Sequence, residues 1–122
     1  MDDKLFWYRA KVRRVVDGDT IDLEFDLGLD AYRHERVRLY GVDAPEIYGV
    51  KKESEEYARG VSAKEFVTEC LEGKMVWVNT IKDKTGKYGR YLAHVYFQDD
   101  SGAHVSISKL LLEDGLAKEA EY

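Results

Sequence analysis

The sequence predicts a mainly β, α+β protein in which a small five-stranded barrel carries two helices. Three observations support this. The chain has 122 residues, 44% of them apolar and 35% charged, enough for one sizeable core and too apolar for a disordered chain. Residues 5–16 and 20–27 alternate apolar and polar side chains, the period of a half-buried strand. Its elements then run in the order of three strands, a helix, two strands and a helix.

The first strand covers residues 5–16, where Phe6, Tyr8, Ala10 and Val12 alternate with Trp7, Arg9, Lys11 and Arg13. Asp17-Gly-Asp-Thr turns the chain by its glycine. Residues 20–27 give the cleanest strand pattern, with Ile21, Leu23, Phe25 and Leu27 on one face and acids on the other. Gly28-Leu-Asp is a turn, residues 31–36 lengthen the hairpin, and Arg36 to Tyr40 return as the third strand. Residues 47–56 form a polar surface loop. A helix follows from Ser54, which caps its N-terminus. Ala63, Phe66, Val67, Cys70 and Leu71 make its apolar stripe, and Gly73 closes it. Gly60 weakens its first turns. Residues 75–80 are the fourth strand, 82–90 a loop and 91–97 the fifth strand. A short helix over 106–114 ends at Gly115. Hairpins joined by one crossing through a helix fit a barrel of the oligonucleotide-binding (OB) type; an open α+β sheet satisfies the same pattern. One domain over residues 1–122 is the natural division.

The net charge is −5, which argues against a protein that coats nucleic acid by charge alone. Cys70 is the single cysteine, so neither an intramolecular disulfide nor a cysteine-based zinc site can form; a buried thiol is expected. Nothing at the start resembles a signal peptide and no stretch is apolar enough to span a membrane. The expectation is a cytoplasmic monomer without a membrane partner.

Chemistry concentrates in Arg38-Leu-Tyr-Gly-Val-Asp-Ala-Pro-Glu46. The arginine fork suits a phosphate, Asp43 suits a hard cation, and Glu46 can take a proton from water. Pro45, the only proline, fixes the corner between them. Asp17 and Asp19, two apart at a strand mouth, can join Asp43 around one calcium ion. An EF-hand fails because its sixth loop position is Asp22 and not glycine. The loop 82–90 sets Lys82, Lys84, Lys87 and Arg90 against Asp83. Its glycines allow close backbone approach, and Tyr88 offers a ring for stacking. His34, His94 and His104 are scattered and show no metal or catalytic spacing.

Four motifs, Val-Asp-Gly-Asp-Thr (16–20), Arg-Leu-Tyr-Gly-Val-Asp-Ala-Pro-Glu (38–46), Lys-Tyr-Gly-Arg-Tyr-Leu-Ala (87–93) and Gly-Leu-Ala-Lys (115–118), resemble those of the staphylococcal nuclease (thermonuclease) family, in its order and nearly its spacing. The resemblance implies the five-stranded OB barrel, a calcium ion, and hydrolysis of DNA and RNA to 3′-phosphate and 5′-hydroxyl ends. It implies Asp19, Asp43 and the Ala44 carbonyl as calcium ligands, with Asp17 behind them. Glu46 becomes the general base, Arg38 and Arg90 hold the reacting phosphate, and Lys87 and Tyr88 contact a neighbouring one. Single-stranded substrate is expected to be preferred. The chain departs from the family at Ala44, where threonine is usual, and at Glu121, where an aromatic is expected; the family's third helix is missing or truncated. The alternative function is a non-catalytic OB module that binds single strands or a protein partner. Retention of Asp19, Arg38, Asp43, Glu46 and Arg90 together favours hydrolysis.

Overall fold

A computed structural model describes residues 6–85 and 90–120, with only the backbone of 82–85. Strands β1 (Trp7–Asp17), β2 (Thr20–Asp26) and β3 (Tyr32–Leu39) form an antiparallel meander. A two-residue strand β4 (Val42–Asp43) precedes helix α1 (Glu55–Leu71). Strand β5 (Met75–Thr85) pairs with β1, and β6 (Tyr91–Gln98) with β5. The barrel closes where β6 also pairs, in parallel, with β3 through Val37–Tyr91, Arg38–Leu92 and Leu39–Ala93. This closure excludes the open sheet. Strand β7 (His104–Ser106) extends the sheet beyond β6, helix α2 (Ile107–Glu113) follows, and β8 (Lys118–Glu119) pairs with β4.

Each strand fills the barrel with alternate side chains, among them Val12, Ile21, Leu23, Val37, Val78 and Val95, all at 1% exposure or less. Helix α1 covers one end with Val67 and Leu71, and α2 adds Ile107 and Leu111. Both helices begin at a serine whose hydroxyl accepts an amide N–H, from Tyr57 to Ser54 and from Lys109 to Ser106. Among the described residues, no helix is long and apolar enough to cross a membrane.

Three local expectations change. The β2–β3 hairpin is tight, with β3 starting at Tyr32 and not at Arg36. Leu29 and Asp30 take φ of 56° and 61°, and the Ala31 N–H donates to the Gly28 carbonyl at 2.9 Å. Two successive left-handed residues match the right-handed twist of a hairpin; Asn and Gly, the usual marks of that turn, are absent from both positions. Residues 82–85 continue β5 where a loop was expected. Cys70 is only half-buried at the core's edge; burial still raises its thiol pKa.

Gly60 serves packing. A Cβ there would stand 2.8 Å from the carbonyl oxygens of Pro45 and Glu46 and from Cγ1 of Ile47. The helix therefore presses directly on the 45–47 segment. Likewise, a Cβ on Gly18 would stand 2.7 Å from those of Ala44 and Ala63. Gly60→Ala gains about 1 kcal/mol of helix propensity but overpacks two backbone carbonyls, which costs roughly 1–3 kcal/mol. Urea unfolding of Gly60→Ala is expected to show a net loss of stability; a gain would mean that the helix and the 45–47 segment are not in contact.

Candidate functional site

The site forms where the β1–β2 turn, the end of β3 and the segment after β4 meet. Asp17 ends β1, and its Oδ1 accepts the Asp19 amide N–H at 3.1 Å, which folds the turn. Asp19 is 8% exposed despite its charge. Its Oδ1 accepts the Thr20 hydroxyl at 3.0 Å and its Oδ2 accepts the Ala44 amide N–H at 3.0 Å. Its own carbonyl accepts the Leu39 N–H at 2.8 Å. The adjacent Thr20 and the distant Ala44 thus satisfy the carboxylate, while Leu39 holds the backbone of the same residue, the arrangement that buried charge requires.

Arg38 projects from β3 opposite Thr20. Its Nη2 donates to the Asp43 carboxylate and, at 3.2 Å, to the Val42 carbonyl, and lies 3.8 Å from Asp19 Oδ2. Arg90 stands just before β6, and its Nη1 donates to Thr20 Oγ1 at 3.0 Å. Barrel closure sets Arg38, near the C-terminal end of β3, beside the start of β6, which Arg90 precedes. Asp17 is pushed up to about 7, first by burial, then by its hydrogen bond to Asp19 and by that residue's charge. Asp17 thus lies in a part-buried place beside a second carboxylate, both of which disfavour its charged form.

Beside this network lies a cleft of about 510 Å³. Asp43 to Glu46 form one wall; Glu56 and Arg59 of α1, and the 115–118 segment, complete it. Glu46 is exposed, and its amide N–H donates to Glu56 Oε2 at 3.4 Å. The structure thus groups Asp17, Asp19, Arg38, Asp43, Ala44 and Arg90, with Glu46 on the adjoining wall. Lys87 and Tyr88 lie outside the described residues. Sequence reasoning missed Thr20, which couples Arg90 to Asp19, and Arg59, a cation on the cleft. Thr20 lay within a quoted motif, whereas nothing local marked Arg59.

Among the described residues, no group of three or more His, Cys, Asp and Glu side chains is arranged to hold a metal ion. Two carboxylates, Asp19 and Asp43, do converge on one positive charge, the Nη2 of Arg38. The guanidinium stands in for a cation there, and hard oxygen donors of this kind fit calcium.

The profile of the family described as staphylococcal nuclease homologue matches residues 36–122. The chain belongs to the staphylococcal nuclease homologue family. It is 37% identical over 111 residues to a thermonuclease of Staphylococcus intermedius, a match covering 91% of this chain and 59% of that protein. It is 31% identical over 112 residues to a thermonuclease of Staphylococcus hyicus, covering 92% and 59%. An uncharacterised protein of Methanocaldococcus jannaschii is 32% identical over 127 residues, covering 91% and 58%. The chain thus spans about three fifths of the length of these relatives.

In this staphylococcal nuclease homologue, Thr20 is the positioning residue most open to test. Thr20→Val keeps the shape but removes the hydroxyl that joins Arg90 to Asp19. A loss of about 1–3 kcal/mol in stability is expected from the orphaned polar partners, together with a shift of the Arg90 side-chain signals in NMR spectra. Unchanged Arg90 signals would contradict the coupling.

Proposed function

We infer that the chain is a calcium-dependent phosphodiesterase that hydrolyses DNA and RNA without sugar specificity and favours single strands. The observation that carries this reading is the convergence of Asp19, Asp43 and Arg38 beside a cleft that also holds Glu46. Names of the relatives add support, since two are thermonucleases.

Asp19, Asp43 and the Ala44 carbonyl would hold the ion, with Asp17 supporting them from behind. When bound, calcium would supply positive charge against the phosphate oxygens. Arg38, which now lies on Asp43, would turn to the phosphate and grip two of its oxygens. Arg90, held by Thr20, would face the charge that builds in the transition state. Glu46 would take the proton from the attacking water as its oxygen bonds to phosphorus; the bond to the 5′ oxygen breaks, and that oxygen picks up a proton. The products carry a 3′-phosphate and a 5′-hydroxyl. Lys87 and Tyr88 would contact an adjacent phosphate.

The test is cleavage of a single-stranded oligonucleotide with calcium, with magnesium or with a chelator. Calcium should be required and magnesium a poor substitute, because magnesium demands a tight octahedron. Glu46→Gln should lower turnover by roughly 100-fold or more while calcium binding by calorimetry is retained. Arg38→Lys should also be severe, since lysine lacks the two-pronged grip. Arg90→Ala should cost about 3 kcal/mol of transition-state stabilisation. Full activity in chelator, or Glu46→Gln at wild-type rate, would refute the reading.

A further inference from the structure

The outward side of β1, β5, β6 and β7 carries an aromatic surface made of residues that do not line the cleft. Trp7 of β1 and Tyr96 of β6 approach across β5, with ring centroids 5.5 Å apart. Trp77 of β5 and His104 of β7 approach across β6, at 4.5 Å. The registers Arg9–Trp77 and Trp77–Tyr96 place the two pairs side by side. Arg9 lies over the Trp77 ring, 5.7 Å from its centroid, and Lys11 is the next outward cation on β1. Trp7 is 43% exposed and Met75, at the edge, 42%. These rings cross four strands, about 14 Å at the usual strand spacing.

The charge on this face differs from that of the whole chain. The chain has 24 Asp and Glu residues. None occupies an outward position of β1 from 7 to 11, of β5 from 75 to 79, of β6 from 94 to 98, or of β7. The acids gather instead on β2, where Asp22 and Glu24 take up Arg36, Arg13 and His34. Strand β6 connects the face to the candidate site: Arg90 precedes it, and its His94 meets Tyr40, just after β3, at 5.2 Å.

We propose that this face is a second nucleic-acid surface, on which the bases of a single strand stack against Trp7, Trp77, Tyr96 and His104 while Arg9 and Lys11 meet its phosphates. Bases stack on aromatic rings without regard to sequence, and among the described residues these outward positions of the four strands carry cations and no acid, with Asp26 and Glu24 of β2 opposite Arg9 and Lys11. An aliphatic patch would suit a protein partner better; here Trp7, Arg9, Lys11 and His104 are exposed, Trp77 and Tyr96 partly so, and Met75 is the one exposed aliphatic side chain among them. The proposal rests on the nuclease reading for the choice of a polynucleotide as occupant. Its consequence is retention: a long strand stays on the protein while successive bonds reach the cleft.

Trp7 and Trp77 are the only tryptophans, so tryptophan fluorescence, excited beyond the tyrosine absorption band, reads this face. The full chain is titrated with oligothymidylate of sixteen nucleotides, in chelator so that no cleavage is supported. Saturable quenching is expected, weakened by salt with a shallow log–log slope of about −1 to −2 for one to three phosphates. Arg9→Glu and, separately, Lys11→Glu should each raise the dissociation constant by about fivefold or more while circular dichroism stays native. With calcium, both should raise KM on a long single strand and leave kcat and the cleavage of a trinucleotide unchanged. Absence of quenching at low salt, or quenching that both variants leave intact, overturns the proposal. So does a tryptophan blue shift that grows with protein concentration without oligonucleotide and coincides with a dimer in sedimentation, since a second copy then covers the face. Quenching that responds to Arg9→Glu in a protein that cleaves nothing sustains this surface and removes only the nuclease reading.

Discussion

The Asp19 carboxylate is the joint on which the site depends. Buried and charged, it is held by the Thr20 hydroxyl and the Ala44 amide, with Arg38 at 3.8 Å. Each contact reaches a different part of the chain. Thr20 carries the link to Arg90, Ala44 fixes the start of the segment that bears Glu46, and Arg38 carries the link to Asp43. A surface aspartate could not do this, because water would compete for each donor. Burial removes that competition and makes every unmade hydrogen bond costly.

The barrel supplies the rigid frame for this joint. Parallel pairing of β3 with β6 is what sets Arg38 beside the start of the strand that Arg90 precedes. Helix α1 then presses Gly60 against the backbone of Pro45 and Glu46, so the cleft wall is backed by a packed helix. Preorganised donors stabilise developing charge without reorganisation at the moment of reaction. The fold therefore contributes by holding two arginines and two carboxylates beside one another, at positions that no single segment could define.

Much of this was legible in the sequence. Alternation at Ile21, Leu23 and Phe25 marked β2, the Ser54 cap and its apolar stripe marked α1, and the Gly115 stop marked the end of α2. The four motifs singled out the residues now found together at Asp17, Asp19, Arg38, Asp43, Ala44 and Arg90. Barrel closure was less legible, because the β3–β6 pairing is long-range and leaves no periodic mark. The turn at Gly28-Leu-Asp was read, but its tightness was not, because Leu29 is a residue that rarely adopts the left-handed conformation the turn requires. Gly60 read as a weakness because helix propensity counts only local terms, whereas its purpose lies in a contact with residues 45–47. The aromatic face was invisible as a surface: Trp7, Trp77, Tyr96 and His104 belong to four strands and become neighbours only across the sheet.

The most direct measurement is amide hydrogen exchange at Ala44, read together with the guanidinium NMR signals of Arg90, in wild type and in Asp19→Ala. If Asp19 joins the two, the substitution removes protection from the Ala44 amide and shifts the Arg90 signals at once, while amides of the barrel core such as Val37 and Val95 remain protected. Persistent protection at Ala44 with unmoved Arg90 signals in the folded variant would contradict the role given to Asp19.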